Sequence, residues 1–208
     1  MSSGSQMRID IRDTLFGDRP FDKWANHAET GEPWQSFAGA KAALDRGEKD
    51  ACIAILTEIS TRQGLESRHY AQAWHFLRQL GIQPSREKEK ELYGVIVEVG
   101  MEGGLDIVAA YPDLHARYYN YSGAGVVWEH PDGSLDPQIG KLLQAARAVV
   151  AKIGPWTDPR PPAPQRGQVR INMLTPSGLH FGQAPFQALA ADALGGPVIS
   201  AAMALMQV

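Results

Sequence analysis

Residues 92–111 read LYGVIVEVGMEGGLDIVAAY, and apolar side chains recur along them at every second position. A period of two is typical of a β-strand, because successive side chains of a strand point to opposite faces of its sheet. Gly103 and Gly104 predict a tight turn that divides the stretch into two strands. Apolar residues occupy both faces of the first strand, so we expect it to be central and covered on both sides. One face is expected to carry Tyr93, Val95, Val97 and Val99, and the other Gly94, Ile96 and Glu98.

Two further strands are expected directly after this pair, at residues 115–122 and 124–130, with a break near Gly123. Pro112 and Asp113 are typical of the chain reversal that precedes them. Parallel neighbours need long crossover connections, whereas the connections here are short. The four strands are therefore predicted to form an antiparallel meander.

The part of the chain before these strands shows helical spacing instead. Its apolar positions predict helices around residues 37–44, 51–59 and 66–80. Gly47 and Gly81 can end the first and the third of them, because glycine adopts the left-handed cap conformation at low cost. The short links between consecutive helices imply helical hairpins.

The part of the chain after the meander begins with a helix. Asp136 and Pro137 are typical of a helix start. The apolar residues that follow form one stripe, so this helix is expected to pack on the sheet. The stripe consists of Ile139, Leu142, Leu143, Ala146, Val149, Val150 and Ile153. A proline-rich connector at residues 155–164 then leads to a strand hairpin, residues 168–175 and 179–183, and two helices close the chain.

Together these elements predict an α+β fold. N-terminal helical hairpins precede a mainly antiparallel sheet, which consists of a four-strand meander, a helix and a hairpin and is covered by helices. We expect residues 1–84 to form a helical N-terminal region and residues 85–208 an α+β sheet domain, or both to form one continuous domain.

Composition limits the classes of function. The chain has 208 residues, of which 44% are hydrophobic and 21% charged, and a formal net charge of −3. Such a balance attracts neither nucleic acid nor an anionic membrane, so we expect neither as a partner. The single cysteine, Cys52, excludes an intramolecular disulfide, and residues 1–6 lack the apolar stretch of a signal peptide, so a cytoplasmic location is expected. Residues 188–208 are apolar, but the break at 195–197 favours a buried helix pair over a membrane span.

Motifs for cofactors and for common catalytic sites are missing. Gly123 and Gly125 lie among predicted strands, without the helix that a dinucleotide-binding loop requires, and no G-x-S-x-G motif occurs. Glu66 and His69 have the spacing of half a di-iron site, but the second half is absent. His69 and His75 are interpreted as packing or surface residues. We therefore predict no cofactor and no metal, and the catalytic residues stay open.

A polar and aromatic cluster on the meander is the candidate ligand site. Arg117, Tyr119 and Tyr121 alternate onto one strand face, and Asp106 and Glu98 lie on neighbouring strands. An arginine flanked by tyrosines could bind a carboxylate or a planar ligand. The alternative, which is the commoner situation, is that Arg117 pairs with Asp106 or Glu98 across the sheet while the tyrosines cover the rim.

Two segments resemble a family of uncharacterised bacterial proteins. They are AAYPDLHARYYNYSGAGVVWE at residues 109–129 and LTPSGLHFG at residues 174–182. The resemblance covers most of the chain after the helical start and implies a bacterial cytosolic origin. It carries no catalytic motif and implies no activity.

Three hypotheses of function follow. The leading one is a non-enzymatic binding or interaction protein, whose apolar final helix offers a surface for a homodimer or a protein partner. The residues of that helix expected to contact the partner are Val198, Ala202, Leu205 and Met206. The alternative is a small-molecule-binding protein or an enzyme with a pocket on the meander. The third is a subunit of a larger bacterial system, such as an immunity or adaptor protein.

Overall fold

The computed structural model describes residues 11–21 and 31–207. Residues 1–6, for which no signal peptide is predicted, lie outside these ranges. Val208, at the end of the final apolar stretch, also lies outside them. The helices of the described ranges are α1 (residues 11–16), α2 (Trp34–Asp45), α3 (Lys49–Thr61), α4 (Ser67–Gln79), α5 (Asp136–Val150), α6 (Phe186–Ala191) and α7 (Gly195–Met206). The strands are β1 (Gly94–Met101), β2 (Gly104–Ala110), β3 (Ala116–Tyr119), β4 (Gly125–Trp128), β5 (Gln168–Thr175) and β6 (Gly178–Pro185).

The strands form one six-stranded antiparallel sheet in the order β4-β3-β2-β1-β5-β6. β1 is central, as its apolar faces predict, and Val97 lies opposite Val108 on β2 and Ile171 on β5. The predicted meander and the later hairpin are both confirmed, and so is the α+β fold class. α5 lies in the chain between the meander and the hairpin. A long connection is needed there, because β4 is at one edge of the sheet and β5 pairs with β1, three strands away from β4.

Helices cover both faces of the sheet. On one face, Ile96, Ile107 and Ala109 belong to a core that they share with α1 to α4. On the other face, Val95 and Val97 belong to a core that they share with α5 and α7. The sheet therefore lies between two helical layers, and each layer buries one of the two faces that the alternation in β1 defines.

The stripe predicted on α5 is confirmed. Six of its seven residues are buried against the sheet and α7, and Ile153 beyond the helix end packs at the margin of the same core. Pro137 occupies the first turn of the helix, where its missing N–H is not needed. Each fully buried Leu or Val side chain of this kind contributes about 1.5–3 kcal/mol to stability.

Two details of the sheet differ from the predictions. Tyr93 packs with the N-terminal helices rather than with Val95, because it precedes β1 and the strand alternation does not include it. β3 ends at Tyr119, before the predicted end at residue 122. Asn120 is the reason, since its side-chain oxygen accepts hydrogen bonds from the backbone N–H groups of Ser122 and Ala124 and closes a turn there.

The apolar final helix packs inside the chain's own fold. Val198, Ala202 and Leu205 are buried in the core that α7 shares with α5, and Met206 packs against that core. The prediction that these four residues offer a surface to a partner is wrong in this respect, because the core already covers them. None of the helices in the described ranges is long and apolar enough to span a membrane.

Candidate functional site

A cavity of about 390 Å³ lies where α4, the connector between α5 and β5, and the β5–β6 hairpin meet. We call it the connector cavity. α4 contributes His75 and Arg78, the connector contributes Trp156 and Arg160, and the segment after α1 contributes Asp18. Apolar residues of the wall include Phe16, Ala71, Leu174 and Leu179. Its volume falls within the range of about 300–1,000 Å³ that is typical of small-molecule sites.

The apolar stripe of α4 determines where its polar residues point. Ala73, Phe76 and Leu77 are buried in the core below the helix. His75 and Arg78 are three residues apart, so they lie on one neighbouring face of the helix. Burial of the stripe therefore turns this pair towards the cavity.

The proline-rich connector forms the opposite wall. Trp156 is attached to the hairpin by a hydrogen bond from its backbone N–H to the Leu179 carbonyl at 2.6 Å. Its indole N–H donates to the Pro159 carbonyl at 3.1 Å, and its ring packs edge-on against Phe181, with centroids 5.2 Å apart. These contacts hold the indole, which is 42% exposed, at the cavity rim.

Arg160 pairs with two neighbouring carboxylates. Its Nε and Nη2 atoms donate to the two carboxylate oxygens of Asp18 at 2.6 and 3.1 Å, and Nη2 also donates to Asp13 at 2.5 Å. Its guanidinium lies 4.4 Å from the centroid of the Phe16 ring. The charges of Arg160 and Asp18 therefore compensate each other within the cavity wall.

Arg78 differs from Arg160 in its surroundings. Its Nη1 donates to the Pro176 carbonyl at 2.7 Å, and it forms no ion pair among the described residues, although Asp18 and Asp158 also line the cavity. Burial lowers the pKa of Arg78 to about 10, and the charge of Asp18 opposes this shift. The guanidinium is still charged at neutral pH, so the cavity wall holds a cation without a directly paired anion.

His75 is neutral at pH 7. Burial, followed by the charges of Arg78 and Arg160, lowers the pKa of His75 to about 4. Its Nε2 atom lies 3.1 Å from the amide nitrogen of Gln79. An amide nitrogen only donates, so Nε2 accepts this hydrogen bond, as a neutral imidazole can.

Glu98, one of the five predicted site residues, lies in a buried ion-pair network away from the rest of the predicted cluster. Its side chain is 0% exposed, and its carboxylate contacts Nε of Arg12 at 2.6 Å and Nη1 of Arg170 at 3.6 Å. The amide of Asn172 donates to the same carboxylate at 3.3 Å. These contacts connect α1 to the middle of the sheet, so the visible role of Glu98 is structural.

Asp106 and Tyr121 form a turn contact at the edge of the meander. Asp106 accepts a hydrogen bond from the backbone N–H of Tyr121 at 2.7 Å and lies 3.4 Å from the Tyr118 hydroxyl. Asp106 lies opposite Val99, on the sheet face that α5 covers, whereas Glu98 lies on the other face. The Tyr121 residue is 48% exposed.

Arg117 pairs with neither Asp106 nor Glu98, the two residues predicted as its partners across the sheet. Its Nη2 atom lies 3.2 Å from Glu129 and 3.6 Å from Glu66. The predicted pairing with Asp106 or Glu98 is wrong, because Asp106 lies on the opposite sheet face and Arg12 and Arg170 surround Glu98. Of the five predicted residues, Arg117 and Tyr119 share a cavity of their own.

The two histidines predicted to be packing or surface residues have different positions. His69 is buried, and its ring packs edge-on against Trp34 with centroids 5.1 Å apart. Burial lowers the pKa of His69 to about 4. His75 lies in the wall of the connector cavity. In the described ranges, no group of His, Cys, Asp and Glu side chains is arranged to hold a metal ion.

Comparisons of the chain with protein-family models, with curated proteins and with solved structures found no match. The resemblance to uncharacterised bacterial proteins therefore stays a prediction. Function has to be argued from the geometry of the cavities.

Sequence reasoning missed the connector cavity. Arg78 and Trp156 are brought together by the packing of α4 against the connector, and no local spacing relates two residues so far apart in the chain. One signal was available: a tryptophan and an arginine, Trp156 and Arg160, lie among the prolines of a segment that forms neither helix nor strand interior. Such side chains are typical of connectors that line a site.

Proposed function

We propose that this protein binds a small anionic molecule in the connector cavity, with the anion on Arg78 and the apolar part of the ligand near Trp156. The observation that carries the proposal is the guanidinium of Arg78, which lines a cavity of about 390 Å³ and has no carboxylate partner among the described residues. The neighbouring Asp18 is held by Arg160. A ligand anion would supply the missing counter-charge.

The donors of Arg78 suit a carboxylate or a phosphate. Nη1 is occupied by the Pro176 carbonyl, and Nε and Nη2 make no hydrogen bond among the described residues. Nε and Nη2 form the edge of a guanidinium that binds two oxygens side by side. Charge-assisted hydrogen bonds of this kind contribute about 1.5–3 kcal/mol each.

The rest of the wall favours a ligand with a planar or apolar body. Phe16, Trp156, Leu174 and Leu179 supply apolar surface, and His75 supplies a neutral imidazole. The ligand class is therefore an organic acid or a phosphate ester with an aromatic or aliphatic portion, rather than a fully hydrophilic ion.

The proposal keeps the non-enzymatic binding role that the sequence favours and assigns it to a cavity rather than to the final helix. A homodimer or a protein partner through α7 receives no support, because Val198, Ala202 and Leu205 are buried. The cavity can be explained without the two other hypotheses, a small-molecule-binding protein or enzyme with a pocket on the meander and a subunit of a larger bacterial system. A cytoplasmic location remains part of the proposal, based on Cys52 as a buried thiol.

Calorimetric titration with matched probes tests the proposal. The probes are benzoate, phenyl phosphate and indole-3-acetate, with benzamide as the neutral counterpart of benzoate. We expect at least one of the anions to bind with a dissociation constant below about 1 mM, which corresponds to only ~4 kcal/mol, and benzamide to bind more weakly than benzoate.

Two variants identify the residue responsible. Arg78→Met keeps the unbranched aliphatic part of the side chain without the charged guanidinium, and we expect it to weaken anion binding about tenfold or more. Arg166→Met is the control, because Arg166 is 72% exposed and pairs with Glu102 on the surface. Equal affinity of both variants for the anion, or the absence of binding by all three anions, would overturn the proposal.

A further inference from the structure

A second cavity, of about 210 Å³, is lined by arginines from three separate parts of the chain. Arg19 follows α1, Arg68 lies in the first turn of α4, and Arg117 lies on β3. We call it the arginine cavity. Its other lining residues are Ile11, Thr14, Leu15 and Tyr119, so no carboxylate of the described residues belongs to its wall.

Arg117 has a donor that the described residues do not satisfy. Its side chain is 9% exposed, and Nη2 pairs with Glu129 and Glu66 at 3.2 and 3.6 Å. Nη1 is buried and has no hydrogen-bond partner there. A buried donor without an acceptor costs about 1–3 kcal/mol, so an acceptor oxygen beside Nη1 would be stabilised.

The other two arginines are held in place before any ligand arrives. Glu66 accepts hydrogen bonds from Nε and Nη2 of Arg68 at 2.7 and 3.2 Å. Nη2 of Arg19 donates to the Thr14 hydroxyl at 3.0 Å. Gln72 on α4 hydrogen bonds the backbone N–H and carbonyl of Arg19 at 3.0 and 2.9 Å. Preorganised donors lose little conformational entropy when they bind an anion.

We infer that the arginine cavity is a second binding site, specific for a small oxyanion group such as a phosphate or a carboxylate. Three guanidinium groups line its wall, and Nη1 of Arg117 supplies a buried donor that no described residue satisfies. The small volume of the cavity favours the anionic group itself over an extended apolar body. This site shares no lining residue with the connector cavity, so it stands independently of the function proposed there.

Inorganic phosphate is the probe that tests the inference, with acetate in parallel to separate a preference for phosphate from one for carboxylate. The titrations use the full chain in the Arg78→Met background, in which the connector cavity has lost the cation that has no carboxylate partner among the described residues. We expect one phosphate or acetate ion per chain to bind, with an affinity that falls as the salt concentration rises.

The decisive variant is Arg117→Lys in that same background. Lysine keeps the charge beside Glu129 and Glu66 and therefore preserves folding, but it lacks the forked donors, so we expect binding to weaken about tenfold. Thermal unfolding monitored by circular dichroism verifies that the variant is folded. Unchanged affinity in folded Arg117→Lys, or no binding of either ion in the Arg78→Met background, would overturn the second site. A loss of benzoate binding with unchanged phosphate or acetate binding would bear only on the function proposed for the connector cavity.

Discussion

Arg160 and Asp18 form a two-point ion pair, with Nε to Oδ2 at 2.6 Å and Nη2 to Oδ1 at 3.1 Å, across the wall of the connector cavity. This pair fixes the connector to the segment after α1. It also engages the carboxylate whose charge acts on Arg78. Arg160 need not touch the ligand, but it holds Asp18 and so keeps Arg78 available for the ligand.

Replacement of Arg160 should weaken anion binding indirectly. In Arg160→Met, Asp18 loses its partner and can turn towards Arg78, so we expect benzoate to bind about threefold to tenfold more weakly, in line with the ~1 kcal/mol of a partly exposed ion pair. Calorimetry at low salt measures the effect. The double variant Arg160→Met, Asp18→Asn should recover part of the affinity, and failure to recover any would argue that Asp18 does not compete for Arg78.

Removal of the Glu98 charge should destabilise the fold. Glu98→Gln leaves Arg12 and Arg170 without their common carboxylate, and we expect the free energy of unfolding to fall by about 3–5 kcal/mol. Urea denaturation measures this change. Glu102→Gln is the matched control, because Glu102 is 79% exposed in its pair with Arg166, and its loss should change stability by about 1 kcal/mol or less. Similar losses in both variants would contradict the assignment of Glu98 as a buried structural ion.

The close approach of the connector to β1 predicts a steric effect at Gly100. A methyl group on Gly100 would overlap the Gln165 carbonyl oxygen, so Gly100→Ala must displace the connector. We expect a loss of about 1–3 kcal/mol, which chemical denaturation measures. Gly140→Ala on α5 is the control, since a methyl group there meets nothing within 4 Å and should stabilise the helix by about 0.5–1 kcal/mol.

Two histidines should make the protein less stable as the pH is lowered. The pKa values of His69 and His75 are each lowered from 6.5 to about 4, chiefly by burial. Between these values the unfolded chain binds protons that the folded chain does not, so the free energy of unfolding decreases as the pH falls from about 6.5 to about 4. Each histidine contributes up to about 3 kcal/mol to this decrease.

Thermal unfolding at pH 7 and pH 5 measures the histidine effect. His75→Gln cannot titrate in this range, so its melting temperature should change less between the two pH values than that of the unmodified protein. His130→Gln serves as the control, because the side chain of His130 is 46% exposed. An identical pH dependence in His75→Gln and the unmodified protein would contradict the burial of a neutral imidazole at position 75.

The fold could be predicted where one periodicity extends over a whole element. The alternation through β1 and the stripe on α5 define their own buried faces, so strand order and layer order follow from short connections. The prediction failed at Asn120. There the sequence alternates as in a strand, but the side chain of Asn120 closes a turn by hydrogen bonds to the backbone. At α7 the predicted burial is confirmed, but the predicted partner surface is wrong, because an apolar helix does not reveal whether its own fold or a partner covers it.

The candidate sites were harder to predict, because their contacts join distant parts of the chain. Arg117 was predicted to pair with Asp106 or Glu98 across the sheet, but the nearest partner of Glu98, Arg12, is 86 residues away from it in the sequence. Arg117 and Tyr119 were correctly placed near each other, since strand alternation puts them on one face. Arg78 and Trp156 have no such local relationship, and only the packing of the connector against α4 brings them together.

A crystal structure of the protein with 4-bromobenzoate, supported by the anomalous signal of bromine, tests the role of Arg78 most directly. We expect a carboxylate that accepts hydrogen bonds from Nε and Nη2 of Arg78 and a bromine peak near Trp156, both absent from crystals of Arg78→Met grown under the same conditions. A bromine peak that persists in Arg78→Met, or that lies outside the connector cavity, would contradict that role of Arg78.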